Sequence, residues 1–197
     1  MKIDGFEWMD WLHKMRADQE KLRREKGISV ADAPAQPRKH RPLLYLETSV
    51  FGFYHDEKPR NALRREAVRL LFHQAELGLL RVGVSRLTER ELAKSAGSRR
   101  DELLALAARV ETLDSADAEV EHLAGLYVAG GIMPAAYAAD ALHAASATVC
   151  RCEVLVTLNL KHLGNEWAER MVNSVNLRDG YPQIRIRTPE VVLHYED

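Results

Sequence analysis

Leu43-Leu44-Tyr45-Leu46-Glu47-Thr48-Ser49 (LLYLETS) is an apolar run that ends in one carboxylate and two hydroxyls. The apolar part is typical of a short strand buried inside a sheet. A loop can begin with any polar residue, but Glu47, Thr48 and Ser49 together present oxygen atoms to whatever lies beyond the strand. The stretch therefore predicts a buried strand that ends at an oxygen-lined site.

Downstream of this run, short apolar segments alternate with helical patterns. The predicted strands are Leu43–Leu46, Leu80–Val84, Val110–Leu113, Val154–Thr157 and Ile184–Ile186. The predicted helices are Asn61–Leu77, Arg86–Lys94, Arg99–Arg109, Asp117–Val128, Ala135–Val149, Glu166–Leu177 and Pro189–His194. Helices are expected to stop near Gly78, Gly97 and Gly180. The alternation predicts an α/β fold, in which a mainly parallel central sheet carries helices on both faces.

The N-terminal part differs from this domain. Residues 6–26 show helical periodicity, with Trp8, Trp11, Leu12, Met15 and Leu22 near one stripe and basic residues around the remainder. A proline-containing basic segment follows Gly27. We therefore predict an amphipathic helical arm over residues 1–27, a linker over 28–41 and the α/β domain over 42–197. The arm either docks on its own domain or binds a groove on a partner or a second subunit.

Composition excludes several classes of protein. The 28 Lys and Arg residues against 29 Asp and Glu residues leave a net charge of −1, so any nucleic-acid contact must come from a local patch. Cys150 and Cys152 lack the second pair that a zinc site needs, and reduced thiols are expected. No segment resembles a signal peptide or reaches membrane-spanning length, so a cytoplasmic protein is expected. Glycine-rich phosphate loops and the G-x-S-x-G elbow are also absent from the sequence, which disfavours nucleotide-binding proteins and serine hydrolases of those types.

Three acids are candidates for chemistry, although each has an ordinary alternative. Glu47 could cap a helix, and Glu91 fits a capping box that begins at Thr88. Asp140 lies in an alanine-rich segment, where a carboxylate is costly unless it is paired or binds a metal, but it could also face solvent. His143 lies one turn further along and could share the face of Asp140.

Taken together, the three acids suggest a metal site. The carboxyl ends of parallel strands form the edge at which ligands bind in open sheets. Carboxylates from separate segments suit hard divalent cations, and Mg²⁺ is commonly held by one or two of them with water. Such an ion can activate water to attack a phosphodiester. Thr48, Ser49, Thr157 and Asn159 would then orient the ligands.

Four segments, in order, resemble a known family. They are YLETSVFGFY (45–54), VSRLTEREL (84–92), AADALHAASATVCRCEVLVTLNLKHLGN (138–165) and GYPQIRIRTPEVV (180–192). The chain from Pro42 onward resembles PIN domains, and more narrowly the VapC-type toxins of bacterial toxin–antitoxin pairs. The resemblance implies a three-layer α/β/α fold, frequent homodimers and a Mg²⁺- or Mn²⁺-dependent endoribonuclease that hydrolyses RNA.

The resemblance also implies roles for individual residues. Glu47 matches the first family acid, Glu91 the second (with Glu89 as a less favoured register) and Asp140 the third, and these three would bind the metal. The fourth acid falls on Asn159, which offers a carbonyl oxygen but no charge. A second metal would be bound weakly, and turnover could be reduced. The alternative to the ribonuclease is therefore a PIN-fold binding or assembly module without turnover, and a DNA flap-type nuclease ranks third.

The arm has a counterpart in the same family. VapC-type toxins are neutralised by small antitoxins, whose C-terminal segment lies over the toxin's active site. Residues 6–26 resemble such a segment, so the expected partner is either an antitoxin protein or the chain's own arm, acting in cis or on a second subunit. Arg23 or Arg24 would then approach the carboxylates, since a guanidinium pairs well with a carboxylate in place of a metal.

Overall fold

The computed structural model describes residues 41–193 and, N-terminal to them, residue 21 alone. The predicted arm and linker, with Arg23 and Arg24, lie outside the described residues, as does His194 at the end of the last predicted helix. The chain divides into two units, and the second begins at Arg41.

Residues 41–193 contain one five-stranded sheet in which every pair of neighbouring strands is parallel. The strands are β1 (Leu43–Leu46), β2 (Arg81–Ser85), β3 (Glu111–Leu113), β4 (Val154–Val156) and β5 (Arg185–Arg187), in the order β3-β2-β1-β4-β5. β1 is central, with Leu44 opposite Val82 of β2 on one side and Val154 of β4 on the other. The LLYL run is thus the middle of the sheet, as its apolar character predicts.

Eight α-helices connect or follow these strands in the described part of the chain. They are α1 (Thr48–Tyr54), α2 (Ala62–Glu76), α3 (Arg86–Leu92), α4 (Gly97–Ala107), α5 (Asp117–Ala129), α6 (Ala138–Val149), α7 (Glu166–Arg178) and α8 (Pro189–Val192). Short 3₁₀ turns at Pro59–Asn61 and Ala135–Tyr137 precede α2 and α6. No helix of residues 41–193 is long and apolar enough to cross a membrane.

Two hydrophobic cores, one on each face of the sheet, make the fold a three-layer α/β/α structure. Tyr45 belongs to the core formed with α5, α6 and α7. Leu44 and Leu46 belong to the core formed with α1 to α4 and α8. Successive strand residues point to opposite faces, so one apolar run of four residues supplies both cores. The predicted fold class is confirmed.

The structure corrects several details of the predicted elements. α1 was not predicted, and the helix expected over Ala135–Val149 begins as a 3₁₀ turn and becomes α-helical only at Ala138. Gly97 begins α4 with a φ of +59° and does not end a helix. By contrast, Gly78 and Gly180 follow the ends of α2 and α7 at positive φ, as expected for glycine.

This topology brings polar residues to one edge of the sheet. Glu47 follows β1, Ser85 ends β2 and Thr157 follows β4, all at the carboxyl ends of parallel strands. α6, which packs against β4, carries Asp140 in its first turn. The candidate site is therefore built from elements that adjoin the central strand.

Candidate functional site

Glu47 is held in place by three hydrogen bonds. It is the N-cap of α1, and its Oε1 accepts from the backbone N–H of Ser49 at 3.0 Å. Its Oε2 accepts from the Ser49 hydroxyl and from Thr157 Oγ1, the latter at 2.9 Å. The N–H of Leu158 in turn donates to Ser49 Oγ at 2.9 Å. The predicted cap and the predicted site residue are thus the same carboxylate, fixed at the sheet edge by hydroxyls from two segments.

Asp140 faces Asn159. The Asn159 amide Nδ2 donates to both carboxylate oxygens of Asp140, at 3.1 and 3.0 Å. The backbone N–H of Asn159 donates to Thr157 Oγ1 at 3.0 Å, and this hydroxyl is the one bonded to Glu47. A continuous hydrogen-bonded chain therefore runs from Glu47 through Thr157 and Asn159 to Asp140.

Burial and the neighbouring Glu47 disfavour the ionised form of Asp140. Asp140 is only 8% exposed and Glu47 only 6%. Burial raises the pKa of Asp140 above its ordinary value, and the nearby charge of Glu47 raises it further. The hydrogen bonds from Asn159 act in the opposite direction and lower it. The two carboxylates form a buried site of negative charge that a cation would stabilise.

Glu91 occupies a different hydrogen-bonded group. Its Oε2 accepts from Thr48 Oγ1 and from His143 Nε2, the latter at 2.9 Å. The bond from His143 is the main cause that lowers the pKa of Glu91 to about 2. Ser85 is the N-cap of α3, so Thr88 is an interior residue of that helix. The capping-box interpretation of Thr88 and Glu91 is therefore wrong, because the helix begins earlier.

His143 connects Glu91 to the middle of the sheet. A carboxylate only accepts hydrogen bonds, so His143 Nε2 donates to Glu91. In a neutral imidazole Nδ1 is then the acceptor, and it lies 2.8 Å from the Tyr45 hydroxyl. That hydroxyl also lies 2.7 Å from Ser85 Oγ. Tyr45 and His143 are almost completely buried, so this network extends from the site into the core.

The predicted residues therefore divide into two groups. Glu47, Asp140 and Asn159 share one hydrogen-bonded chain, whereas Glu91 pairs with His143. Thr48 and Ser49, adjacent in sequence, bond to Glu91 and Glu47 respectively. Among residues 41–193, no three His, Cys, Asp or Glu side chains form a group arranged to hold a metal ion.

The residues fit a single hard cation better than two. Glu47 and Asp140 supply two carboxylates, and one or two carboxylates with several waters are the usual protein ligands of Mg²⁺. The Asn159 amide now lies against both oxygens of Asp140, and rotation of this amide would offer its carbonyl oxygen to a cation. Glu91 could join through water or by releasing His143.

Sequence reasoning missed Tyr45 as part of the site. The apolar pattern predicts only a strand at this position, although a tyrosine in a buried strand carries a hydroxyl that needs partners. Those partners, Ser85, Thr88 and His143, come from β2, α3 and α6. The sequence feature that could have indicated this role is a tyrosine within an apolar strand that is followed by an acid.

Comparison with known proteins gives a structural match but no match in sequence to a family model or a curated protein. No protein-family model matches the sequence, and no curated protein matches it. Among solved structures, the crystal structure of FitAcB from Neisseria gonorrhoeae matches with a TM-score of 0.44 and 18% sequence identity, over 75% of this chain and 98% of that chain. A likeness of this degree carries no argument about function, so the site is interpreted from its own geometry.

Proposed function

We propose that this protein is a metal-dependent endoribonuclease of the PIN type, in which Glu47 and Asp140 bind one Mg²⁺ or Mn²⁺ ion. The observation that carries the proposal is the hydrogen-bonded chain that joins these two buried carboxylates through Thr157 and Asn159 at the carboxyl edge of a parallel sheet, where ligands bind in open α/β folds. The order of the sequence segments that resemble VapC-type toxins supports the same conclusion.

The chemistry divides between the ion and the chain. A bound Mg²⁺ or Mn²⁺ supplies Lewis-acid chemistry, which activates water and neutralises charge on a phosphodiester. Ser49 and Thr157 fix the position of Glu47, so that this carboxylate need not reorganise when the ion binds. Thr48 and His143 hold Glu91 ionised near the same edge, where it can orient a water. Asn159 completes the set with a neutral oxygen.

A second candidate is a PIN-fold binding or assembly module without turnover. Two observations favour it: Asn159 stands where the family has an acid, and its amide already satisfies both oxygens of Asp140. Glu91 is likewise satisfied by His143. Both candidates require the Glu47–Asp140 site, and they differ only in whether RNA is cleaved.

The test is metal-dependent cleavage of a broad RNA pool by the full chain. The variant is Asp140→Asn, and the matched control is Asp101→Asn, which removes a carboxylate that is 70% exposed on α4. We expect cleavage with Mg²⁺ or Mn²⁺ that is abolished by Asp140→Asn and unchanged by Asp101→Asn. Metal binding without cleavage, both by the full chain and by a chain that begins at Arg41 and so lacks the proposed inhibitory arm, would contradict the enzyme and favour the binding module. Equal cleavage by both variants would exclude Asp140 from the reaction.

Partners are proposed on the same basis. We propose RNA as the substrate, with an antitoxin or the chain's own arm as the inhibitory partner. We also propose a homodimer, which follows from the family resemblance alone.

A further inference from the structure

A stacked pair of rings lies beside the candidate site. The centroids of Tyr137 and His162 are 3.7 Å apart, and their planes differ by 22°. Tyr137 is 37% exposed, and His162 is also partly exposed. Neither ring belongs to the two hydrophobic cores of residues 41–193. The stack is therefore a surface feature that core packing does not explain.

Both rings are tied to the candidate site through the backbone. Tyr137 ends the 3₁₀ turn that precedes α6, and its N–H donates to Pro134 O at 2.7 Å. Asp140 follows three residues later, in the first turn of α6. His162 lies in the loop after β4, and its N–H lies 3.4 Å from Asn159 Oδ1. The two segments that carry Asp140 and Asn159 thus also carry the stacked rings.

The contact between the His162 N–H and Asn159 Oδ1 is accompanied by an electrostatic effect on Asp140. His162 is among the groups that lower the pKa of Asp140, together with His143 and the bond from Asn159. An imidazole that influences this carboxylate lies close to the place where a scissile phosphate would bind. The exposed ring area beside it is thus within reach of a neighbouring nucleotide.

We infer that the Tyr137–His162 stack is a platform on which an unpaired base of the RNA strand stacks beside the scissile phosphate. The inference rests on the proposed ribonuclease function and names its substrate as single-stranded. Aromatic side chains stack on any base, because every base has a π-face, and a paired base inside a duplex offers no such face. His162 packs against Tyr137 and thereby reduces the ring ordering that binding would otherwise require.

The test couples a protein change to an RNA change. A fluorescent single-stranded RNA would be titrated with the full chain in EDTA, which prevents metal-dependent cleavage. The same titration would be made with Tyr137→Ala, with Tyr137→Phe and with Leu177→Ala. Leu177→Ala is the remote control, because it changes an exposed residue of α7. The RNA would carry a single abasic nucleotide, moved along the strand one position at a time. We expect Tyr137→Ala to weaken binding by about tenfold, whereas Tyr137→Phe and Leu177→Ala leave it unchanged.

The decisive result is whether the loss of binding caused by Tyr137→Ala adds to the loss caused by an abasic nucleotide. One abasic position should weaken binding to the unsubstituted chain by a similar factor and should cause no further loss with Tyr137→Ala, because the same contact is already missing. A merely structural role of Tyr137 would give additive losses at every position. Additive losses, equal binding of duplex and single strand, or no binding at all would each overturn the inference.

The outcome is distinguishable from that of the proposed function. Metal-dependent cleavage by the full chain without any abasic-sensitive position would contradict the platform and leave the nuclease standing. Abasic-sensitive, Tyr137-dependent binding without cleavage would support the platform and contradict the nuclease.

Discussion

The buried carboxylate of Asp140 is electrostatically costly in the metal-free site. Its carboxylate is buried near Glu47, and both of its oxygens accept hydrogen bonds from the uncharged amide of Asn159. Because burial and Glu47 raise its pKa, the folded state binds this proton more tightly than the unfolded state. The free energy of unfolding therefore falls as the pH rises from the ordinary value of 3.8 through the raised pKa. Ionisation of Asp140 therefore destabilises the metal-free fold.

Asp140→Asn should accordingly leave the metal-free protein at least as stable as the unsubstituted chain at pH 7. An amide at this position removes the buried charge and can still accept from Asn159. The measurement is the free energy of unfolding by urea in EDTA. If Glu47 and Asp140 bind the proposed ion, addition of Mg²⁺ should stabilise the unsubstituted chain and not the variant. A clear loss of stability in EDTA would mean that the carboxylate has a structural role.

Glu91 has the opposite pH dependence. Its pKa is lowered from 4.5 to about 2, so its contribution to stability is present above its usual pKa and is lost as the pH falls through the folded value. Glu91→Gln should therefore flatten the pH dependence of unfolding between about pH 4.5 and 2, a change on the order of 2 kcal/mol. Denaturant midpoints across this range measure it, with Glu89→Gln as the control. Parallel curves for Glu91→Gln and the unsubstituted chain would contradict the His143–Glu91 bond.

At the level of residues, sequence reasoning found candidates but not their partners. Glu47 and Asn159 were identifiable because each follows a strand, and Asp140 because a carboxylate among alanines is unusual. The pairing of Glu91 with His143 was not predictable, since it joins residues 52 apart on α3 and α6. Such contacts depend on how the helices cross, which a single sequence does not encode in a local pattern.

At the level of elements, the strands were predicted well and one helix was missed. Each apolar run became a strand, with ends shifted by one residue for β2 to β5. The sequence of α1 (TSVFGFY) does not predict a helix, because β-branched residues, aromatics and glycine all have modest or poor helix propensity. It forms because Glu47 caps it and because Val50 and Phe51 are buried in the core. Tertiary packing overrides propensity here.

Gly83 in β2 shows what the sheet requires of a single position. A Cβ at Gly83 would lie 2.6 Å from Leu113 Cγ on β3, with both Leu113 methyls at 2.8 Å. Gly83→Ala should therefore lower the free energy of unfolding by about 1–3 kcal/mol through overpacking. Gly52→Ala is the matched control, because position 52 is helical and a Cβ added there would have no packed neighbour within 4 Å. We expect this change to raise the free energy of unfolding by about 0.5–1 kcal/mol.

The same clash predicts a specific rescue. In the double variant Gly83→Ala with Leu113→Ala, the two changes should be less than additive, because the smaller side chain on β3 makes room for the new methyl group. Thermal or urea unfolding of the four chains measures the coupling. Additive losses would mean that Leu113 is not the neighbour that excludes a side chain at position 83.

At the level of the whole molecule, the alternation of strands and helices was sufficient to predict the layers of the domain. The strand order was not predictable from that alternation alone, since it depends on which crossovers pack together. The role of the arm also remains a prediction, because residues 1–20 and 22–40 lie outside the described structure.

Removal of the arm should separate inhibition from folding. The described members of both cores come from all three layers of residues 41–193, so we expect a chain that begins at Arg41 to unfold cooperatively and to retain the proposed metal site. If the arm covers the carboxylates, RNA cleavage should increase in the shortened chain, and adding residues 1–40 as a separate peptide should reduce it again. Equal cleavage by both chains, with equal stability, would contradict the antitoxin-like role of the arm.

The most direct test of the central claim is the binding of Mn²⁺ to the full chain, measured by calorimetry and by the electron paramagnetic resonance signal of the free ion. We predict one ion per chain, with binding lost in Glu47→Gln and in Asp140→Asn and unchanged in Glu66→Gln, which alters an exposed acid of α2. Binding that survives both site substitutions, or the absence of binding to the unsubstituted chain, would contradict a metal centre at Glu47 and Asp140 and with it both proposed functions.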